Sequence, residues 1–209
     1  MTLPELYYSF PTLYQLSHLL PPSLFWRHRT TQIVLTELLH FKDAPGKMLE
    51  IGCGSGHLLK KISKFFPKME CIGIDSSCAM IAHAARDDEV GNLRFLVVDF
   101  LEMMRSPVEL NNFEAVVSVN SWAFFPLEAS IALLRKIVKQ GTRFVAITYS
   151  NAPWSRIHSR VLSSVLRRPL YLHDPLEFVS CLNRSGFHAE YVRIDPFEGS
   201  YLIRAVFLG

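Results

Sequence analysis

The residues best suited to chemistry are three alternating glycines and two carboxylates in the first half of the chain. Gly52, Gly54 and Gly56 follow directly after Glu50, and Asp75 comes at the end of the next apolar segment. Glycine has no Cβ, so a turn built from it lets a ligand approach the backbone closely. A carboxylate at the end of the following strand accepts hydrogen bonds from neighbouring ribose hydroxyl groups. The pattern therefore predicts a site for a nucleoside-like ligand.

The residues on either side of this run predict the elements that hold it. Met48, Leu49 and Ile51 are typical of a buried strand, and the segment from His57 to about Phe66 is typical of a helix. The free N–H groups at the start of that helix offer hydrogen-bond donors. His57 stands where the dinucleotide motif G-x-G-x-x-G has its third glycine, which disfavours an NAD-dependent oxidoreductase.

These motifs resemble those of the class I S-adenosylmethionine-dependent methyltransferases, whose first motif is an acid followed by G-x-G-x-G. Three further segments match the family in order: Gly73-Ile-Asp-Ser, Leu96-Val-Val-Asp-Phe, and Phe113 to Asn120. The resemblance implies binding of S-adenosylmethionine and release of S-adenosylhomocysteine. The cofactor-binding residues that it implies are Glu50, Gly52, Cys53, Gly54, Gly56, Asp75, Ser76, Met80, Asp99, Phe100, Val119 and Asn120.

Alternating apolar and amphipathic segments predict an α/β fold. Strands are expected near 48–51, 69–74, 93–98, 113–119 and 142–149, helices near 57–66, 77–86 and 126–140, a last helix near 175–185, and a hairpin of strands over 187–194 and 201–208. Gly141 is expected to end the helix over 126–140. The resemblance completes this as a Rossmann-like, doubly wound seven-stranded sheet, mostly parallel with an antiparallel C-terminal strand.

The predicted organisation is a single domain over 1–209. A helical cap is expected over 1–47, with its clearest helix from Phe25 to about Leu39, and a Rossmann-like core over 48–209 carries a helical insertion near 151–174. Four cysteines without a C-x-x-C pair predict neither a metal site nor a disulfide framework. A net charge of +3 is too small for a nucleic-acid-binding face. The absence of a basic signal sequence or a spanning apolar run favours the cytoplasm.

The methyl acceptor has to be inferred from the predicted pocket. After the fourth strand the chain has Asn120-Ser-Trp-Ala-Phe-Phe instead of the Asn/Asp-Pro-Pro-Tyr/Phe run of nucleobase and glutamine methyltransferases. The resemblance is therefore to the small-molecule branch, and we expect a small, apolar or aromatic metabolite. Trp122 and Tyr149 are predicted to line the substrate pocket, whereas Phe124 and Phe125 are expected in the core.

Methyl transfer from a sulfonium depends mainly on alignment and exclusion of water, so a catalytic base is optional. No catalytic residue is assigned, and the candidates are His158, His173 and Tyr14. A basic amphipathic helix is predicted over 154–168. It could close over the acceptor, contact an anionic membrane or an acidic carrier protein, or simply dock on the core with solvated arginines. Alternative functions are therefore methylation of a lipid, quinone precursor or carrier-bound acyl group, or a non-catalytic cofactor-binding partner protein.

Overall fold

The computed structural model describes residues 21–86, 91–105, 110–151, 169–195 and 199–209, and the single positions Arg156, Arg160 and Ser163. Its first elements are α1 (Pro21–Glu37), β1 (Gly46–Ile51), α2 (His57–Phe65), β2 (Met69–Asp75), α3 (Cys78–Ala84) and β3 (Leu93–Val97). They are followed by β4 (Phe113–Val119), α4 (Leu127–Ile137), β5 (Val138–Tyr149), α5 (Pro175–Arg184), β6 (Phe187–Asp195) and β7 (Ser200–Phe207). Short 3-10 helices lie at Leu39–Phe41, Phe100–Arg105 and Trp122–Phe124.

The strands form one seven-stranded sheet in the order β3-β2-β1-β4-β5-β7-β6. β1, β2 and β3 pair in parallel, and so do β4 and β5. β7 lies between β5 and β6 and is antiparallel to both. This arrangement confirms the predicted Rossmann-like fold with its antiparallel C-terminal strand.

Contacts along the chain divide it into two compact units, 1–99 and 100–209. In the first unit, the apolar side chains of β1 and β2 are almost wholly buried, as expected of parallel strands that are covered on both faces. Asn92 secures this unit, because its side-chain amide donates to the carbonyl oxygens of Ser63, Phe66 and Met69. The loop before β3 is thereby fixed to the end of α2 and the start of β2.

In the second unit, α5 packs against β6 and β7. Asp174 begins α5 by accepting hydrogen bonds from the N–H groups of Leu176 and Glu177, so it is the N-cap of this helix. Phe144 of β5 and Phe178 of α5 are fully buried and their rings lie 6.4 Å apart. These aromatic side chains form the core of the unit.

The predicted helix over 126–140 is too long, and Gly141 does not end it. α4 ends at Ile137, and Gly141 lies inside β5 with φ of 84°. The β4–β5 register shifts between Phe113 and Ala115, so the start of β5 bulges. Thr142 stabilises the bulge, because its hydroxyl donates to the Phe113 carbonyl at 2.5 Å and accepts from the Lys139 N–H at 2.9 Å.

The N-terminal part of the prediction is described only from residue 21. α1 begins earlier than the helix that was expected from Phe25 to about Leu39, at Pro21, and ends at Glu37. Tyr14 lies outside the described residues, and so does most of the predicted basic helix over 154–168. No helix in the described part of the chain is long and apolar enough to cross a membrane.

Candidate functional site

The glycine turn begins where β1 ends. The N–H groups of Gly52 and Cys53 both donate to the Ile74 carbonyl, at 2.8 and 3.0 Å, which ties the turn to the end of β2. Gly52, Gly54 and Gly56 have φ of 71°, 53° and 74°. These left-handed conformations favour glycine, so the alternating glycines of the sequence reflect the backbone path of the turn.

Gly56 is required for packing as well as for its backbone conformation. A Cβ at this position would lie 2.5 Å from the Phe95 ring and 3.0 Å from the Ala84 methyl group. The residue directly precedes α2, whose first turn is thereby held against β3 and α3. The glycine turn is a tightly packed structure rather than an open loop.

Asp75 fixes the two backbone segments that flank the predicted ligand site. Its Oδ2 accepts a hydrogen bond from the Gly54 N–H, and its Oδ1 accepts from the Ser77 N–H, both at 2.9 Å. The hydroxyl of Ser77 accepts from the Met80 N–H and caps α3. Asp75, the carboxylate predicted to bind ribose hydroxyl groups, therefore contacts the predicted glycine turn in the structure. Ser77 was missed by sequence reasoning, although a serine three residues before Met80 is a helix N-cap signal.

Glu50 is a buried acid of the first unit whose pKa is strongly raised. It is 3% exposed, and one of its carboxyl oxygens, Oε2, has no hydrogen-bond partner. Burial, and then the negative charge of Asp75, raise the pKa of Glu50 to about 8, although a hydrogen bond from the Leu59 N–H opposes this. The carboxyl group is therefore predominantly protonated at neutral pH.

The other predicted cofactor residues of the first unit differ in exposure. Ser76 and Asp99 are exposed, and their side chains are accessible to a ligand. Met80 is buried, which places its side chain in the packed interior of the unit. Its predicted role in cofactor binding stays a prediction.

In the second unit, Asn120 stands out at the end of β4. Its N–H donates to the Ile147 carbonyl at 2.8 Å, its φ is 60°, and its side-chain Oδ1 is buried without a partner. A buried polar atom without a partner is costly, so such atoms usually meet a ligand or an ordered water. Val119 and Tyr149, at the ends of β4 and β5, are half-buried. Asn120 is therefore one of the described residues of this unit whose unsatisfied buried atom suits it to bind a ligand.

Trp122, which is predicted to line the substrate pocket, is buried in the described part of the second unit, and its contact with a substrate stays a prediction. Its side chain is fully buried, with ring centroids 5.0 Å from Phe144 and 5.5 Å from Phe178. Phe100, another predicted cofactor residue, is also buried in this cluster, 5.8 Å from Trp122. The chain turns directly after β4, and this turn directs the indole ring into the core.

The same turn leaves Phe124 and Phe125 half-exposed, although they were expected in the core. Tyr171 lies against the turn, because its N–H donates to the Ala123 carbonyl at 2.7 Å. It is also half-exposed, and sequence reasoning gave no signal for it. The turn and Tyr171 together present aromatic side chains that a ligand could contact.

His173 has a structural contact where a proton acceptor was predicted. Its Nε2 lies 3.1 Å from the Phe125 carbonyl oxygen, and its own carbonyl accepts a hydrogen bond from the Tyr201 hydroxyl at 3.1 Å. Burial lowers the pKa of His173, so the imidazole is neutral. A ring nitrogen that faces a carbonyl oxygen must donate to it, so His173 fixes the segment before α5 to the turn after β4. The other candidates, His158 and Tyr14, lie outside the described residues.

Comparison with known proteins agrees with this geometry. A family model described as a methyltransferase domain matches residues 42–172, which include the glycine turn, Asp75 and the end of β4. The chain belongs to this methyltransferase family. The match confirms the class I S-adenosylmethionine-dependent methyltransferases as the family predicted from the sequence.

Two curated methyltransferases are similar in sequence. The malonyl-[acyl-carrier protein] O-methyltransferase of Halalkalibacterium halodurans is 27% identical over 134 residues, which are 63% of this chain and 49% of that protein. The demethylmenaquinone methyltransferase of Thermus thermophilus is 28% identical over 133 residues, which are 62% of this chain and 56% of that protein. The chain thus spans about half the length of these relatives.

A solved methyltransferase shares the fold. The magnesium protoporphyrin IX methyltransferase of Synechocystis, with bound S-adenosylhomocysteine, superposes with a TM-score of 0.66 at 16% identity, covering 87% of this chain and 83% of that chain. At this identity the likeness concerns the fold alone. The shared fold agrees with the doubly wound sheet described above for this chain.

Proposed function

We propose that the protein transfers a methyl group from S-adenosylmethionine to a small acceptor with an apolar or aromatic surface. The observation that carries the proposal is the double hydrogen bond of Asp75 to the N–H groups of Gly54 and Ser77. It orders the glycine turn and the start of α3 around one carboxylate. A nucleoside ligand then meets a preformed turn, and little conformational entropy is lost on binding.

The residues present fit this cofactor. In the first unit, the glycines allow close backbone approach, and Asp75 would hold the ribose hydroxyl groups. In the second unit, taken by itself, the buried and unsatisfied Oδ1 of Asn120 is available to accept a hydrogen bond from a ligand. When bound, the cofactor supplies an electrophilic methyl group on a sulfonium, which is already a good leaving group. The protein has to bind, align and exclude water.

The aromatic residues after β4 support an apolar or aromatic acceptor. Phe124, Phe125 and Tyr171 are half-exposed and belong to neighbouring backbone segments of the second unit. His173 and the Tyr171 N–H hold these segments together through the carbonyls of Phe125 and Ala123. A flat ring or an alkyl chain would gain contact area on these side chains and would position its nucleophilic atom by apolar packing.

Carrier-bound acyl groups and quinone precursors form a second acceptor class. They are favoured by the relatives named malonyl-[acyl-carrier protein] O-methyltransferase and demethylmenaquinone methyltransferase. Arg156 and Arg160 are exposed and would attract an acidic carrier protein. A non-catalytic partner protein is less well supported, because the family model and the similar proteins are methyltransferases.

Calorimetric titration with S-adenosylhomocysteine tests the cofactor, with NAD as the parallel ligand. We expect S-adenosylhomocysteine alone to bind, and Asp75→Ala to weaken that binding. Asp43→Ala removes an exposed carboxylate outside the turn and serves as the matched control. Binding of NAD, or equal affinity in Asp75→Ala and the parent, would overturn the assignment.

Methyl transfer from radiolabelled donor tests the acceptor. A panel of hydroxylated aromatic acids, a demethylated quinone and malonyl-carrier protein separates the two acceptor classes. Phe125→Ala should reduce transfer to ring-containing acceptors more than it reduces donor affinity. Transfer to malonyl-carrier protein alone, unaffected by Phe125→Ala, would favour the second class.

A further inference from the structure

Glu50 is buried beneath the glycine turn, and we call the residues packed around it its chamber. It is directly opposite Gly73 in the parallel register of β1 and β2, so the two residues share one face of the sheet. A Cβ at Gly73 would lie 2.9 Å from both Cys53 Sγ and Leu59 Cδ2. Cys53 of the turn and Leu59 of α2 therefore cover this face. The Leu59 N–H also hydrogen-bonds to the Glu50 carboxyl group.

The groups that face Glu50 are the Asp75 carboxylate and the Cys71 thiol of β2, the Cys53 thiol of the turn, and the Leu59 N–H of α2. Of these, the Leu59 N–H favours the ionised form of Glu50, whereas the Asp75 carboxylate disfavours it. None of these described groups is a cation. Burial removes water as a hydrogen-bonding partner, and Oε2 has no partner in its place. A carboxylate in this chamber would be desolvated, repelled by Asp75 and only partly hydrogen-bonded.

The environment of Glu50 also raises the pKa values of the two neighbouring thiols. Burial and the charge of Glu50 raise the pKa of Cys53 well above its ordinary value, and they raise the pKa of Cys71 to about 12. Both thiols are therefore neutral and cannot act as the counter-charge or as the proton acceptor of Glu50 at neutral pH. In the coupling proposed below, the proton released from Glu50 therefore goes to solvent rather than to a thiol.

We propose that Glu50 couples donor binding to proton release: it is a neutral acid in the free protein, loses its proton when the cationic methyl donor binds, and regains it when the donor has become neutral product. This inference rests on the proposed function. The sulfonium of the donor carries a positive charge that the thioether of the product lacks. A positive ligand bound next to Asp75 stabilises the Glu50 carboxylate through the weakly screened interior.

The consequence is that Glu50 distinguishes donor from product by their charge. Affinity for S-adenosylmethionine should rise with pH from 6 to 8, by up to tenfold per pH unit if one proton is released. Affinity for S-adenosylhomocysteine should rise less. As the pH rises, the affinity for the donor therefore increases relative to the affinity for the product, and the donor displaces the product more readily.

Calorimetric titration at pH 7 in two buffers with different ionisation enthalpies tests the inference on the full chain. We expect the binding heat of S-adenosylmethionine to differ between phosphate and Tris by an amount equivalent to most of one released proton, and that of S-adenosylhomocysteine to differ less. Glu50→Gln keeps a neutral side chain of the same shape and should abolish the difference. Glu70→Gln, at a partly exposed carboxylate of β2 that pairs with Arg94, is the matched control and should retain it.

Infrared spectroscopy of the free protein provides a readout that does not require a ligand. A protonated carboxylic acid band should be present at pH 7, lost in Glu50→Gln and retained in Glu70→Gln. Absence of a Glu50-dependent band, or equal heats in both buffers, would overturn the inference while leaving the proposed function intact. Failure of both ligands to bind would overturn the proposed function and the coupling together.

Discussion

Replacing Gly73 with alanine tests whether the chamber around Glu50 is as closely packed as the neighbouring side chains indicate. The new methyl group would lie 2.9 Å from each of three atoms: Cys53 Sγ, Leu59 Cδ2 and Phe95 Cδ1. Carbon atoms in contact prefer separations of about 3.5–4.0 Å. Side chains of the turn, α2 and β3 would all have to shift, so the methyl group cannot be accommodated by one side chain alone.

The expected loss follows from the energetics of overpacked cores. Adding methylene or methyl groups to a well-packed interior costs about 1–3 kcal/mol, and the three simultaneous contacts place Gly73→Ala near the upper end, at about 3 kcal/mol. For a chain of this size, each kcal/mol lowers the melting temperature by about 2–4 °C. We therefore expect Gly73→Ala to lower the melting temperature by about 6–12 °C.

Two other glycines separate packing from backbone strain. A Cβ at Gly91 meets no atom of the described residues within 4 Å, so Gly91→Ala should change the free energy of unfolding by less than about 1 kcal/mol. Gly141 also has open space but has φ of 84°, so Gly141→Ala should cost about 1–2 kcal/mol from strain alone. Urea titrations followed by circular dichroism measure all three variants. Equal stability of Gly73→Ala and Gly91→Ala would refute the packing argument.

Three further predictions concern the site and the second unit. Asp75→Ala should weaken binding of S-adenosylhomocysteine by about 1–3 kcal/mol, because hydrogen bonds to a charged group are lost; unchanged calorimetric affinity would contradict this. Because the pKa of Glu50 is raised to about 8, its contribution to stability is full below the pKa of the unfolded chain and is lost as the pH rises toward 8. Between pH 5 and 7 the free energy of unfolding of the parent, measured by urea titration, should fall by about 2 kcal/mol relative to that of Glu50→Gln. If the free energies of the two proteins changed in parallel with pH, Glu50 would be ionised in the folded protein. Thr142→Val removes two hydrogen bonds at the bulge of β5 and should cost about 1–3 kcal/mol in the same assay; no loss would mean that water replaces them.

The glycine turn was predictable because its determinants are local in sequence. A buried strand, alternating glycines and a helix start within a dozen residues constrain the backbone almost by themselves. The bond between Asp75 and the Gly54 N–H joins residues 21 positions apart, and the motif order indicated that they would meet. Gly73 had a usable signal that was missed, because a glycine inside a strand indicates close approach of other groups.

The aromatic residues after β4 were not predictable in this way. Trp122, Phe124 and Phe125 are all large and apolar, and the sequence does not show in which direction the turn rotates them. The 3-10 helix over Trp122–Phe124 directs the indole toward Phe178 and leaves both phenylalanines half-exposed. Tertiary packing, which hydropathy does not encode, decides which ring a ligand can reach.

The helix boundary at Ile137 was missed for a related reason. A glycine after a helical pattern usually indicates a C-cap, and Gly141 fits that rule by its position and its positive φ. The β4–β5 pairing draws the chain into the sheet before the glycine is reached, and Thr142 satisfies the backbone groups of the resulting bulge. A long-range strand pairing here overrides a local helix-stop signal.

The position of β7 has a consequence for biosynthesis. β7 lies between β5 and β6 but is made after both of them, so the antiparallel edge of β5 has no partner until residues 200–207 leave the ribosome. Until then, β5 and β6 present unpaired backbone groups that can pair with strands of other chains. Folding of the second unit must therefore wait for the last strand, and ribosome stalling or truncation before Ser200 should convert this methyltransferase into an aggregation-prone chain.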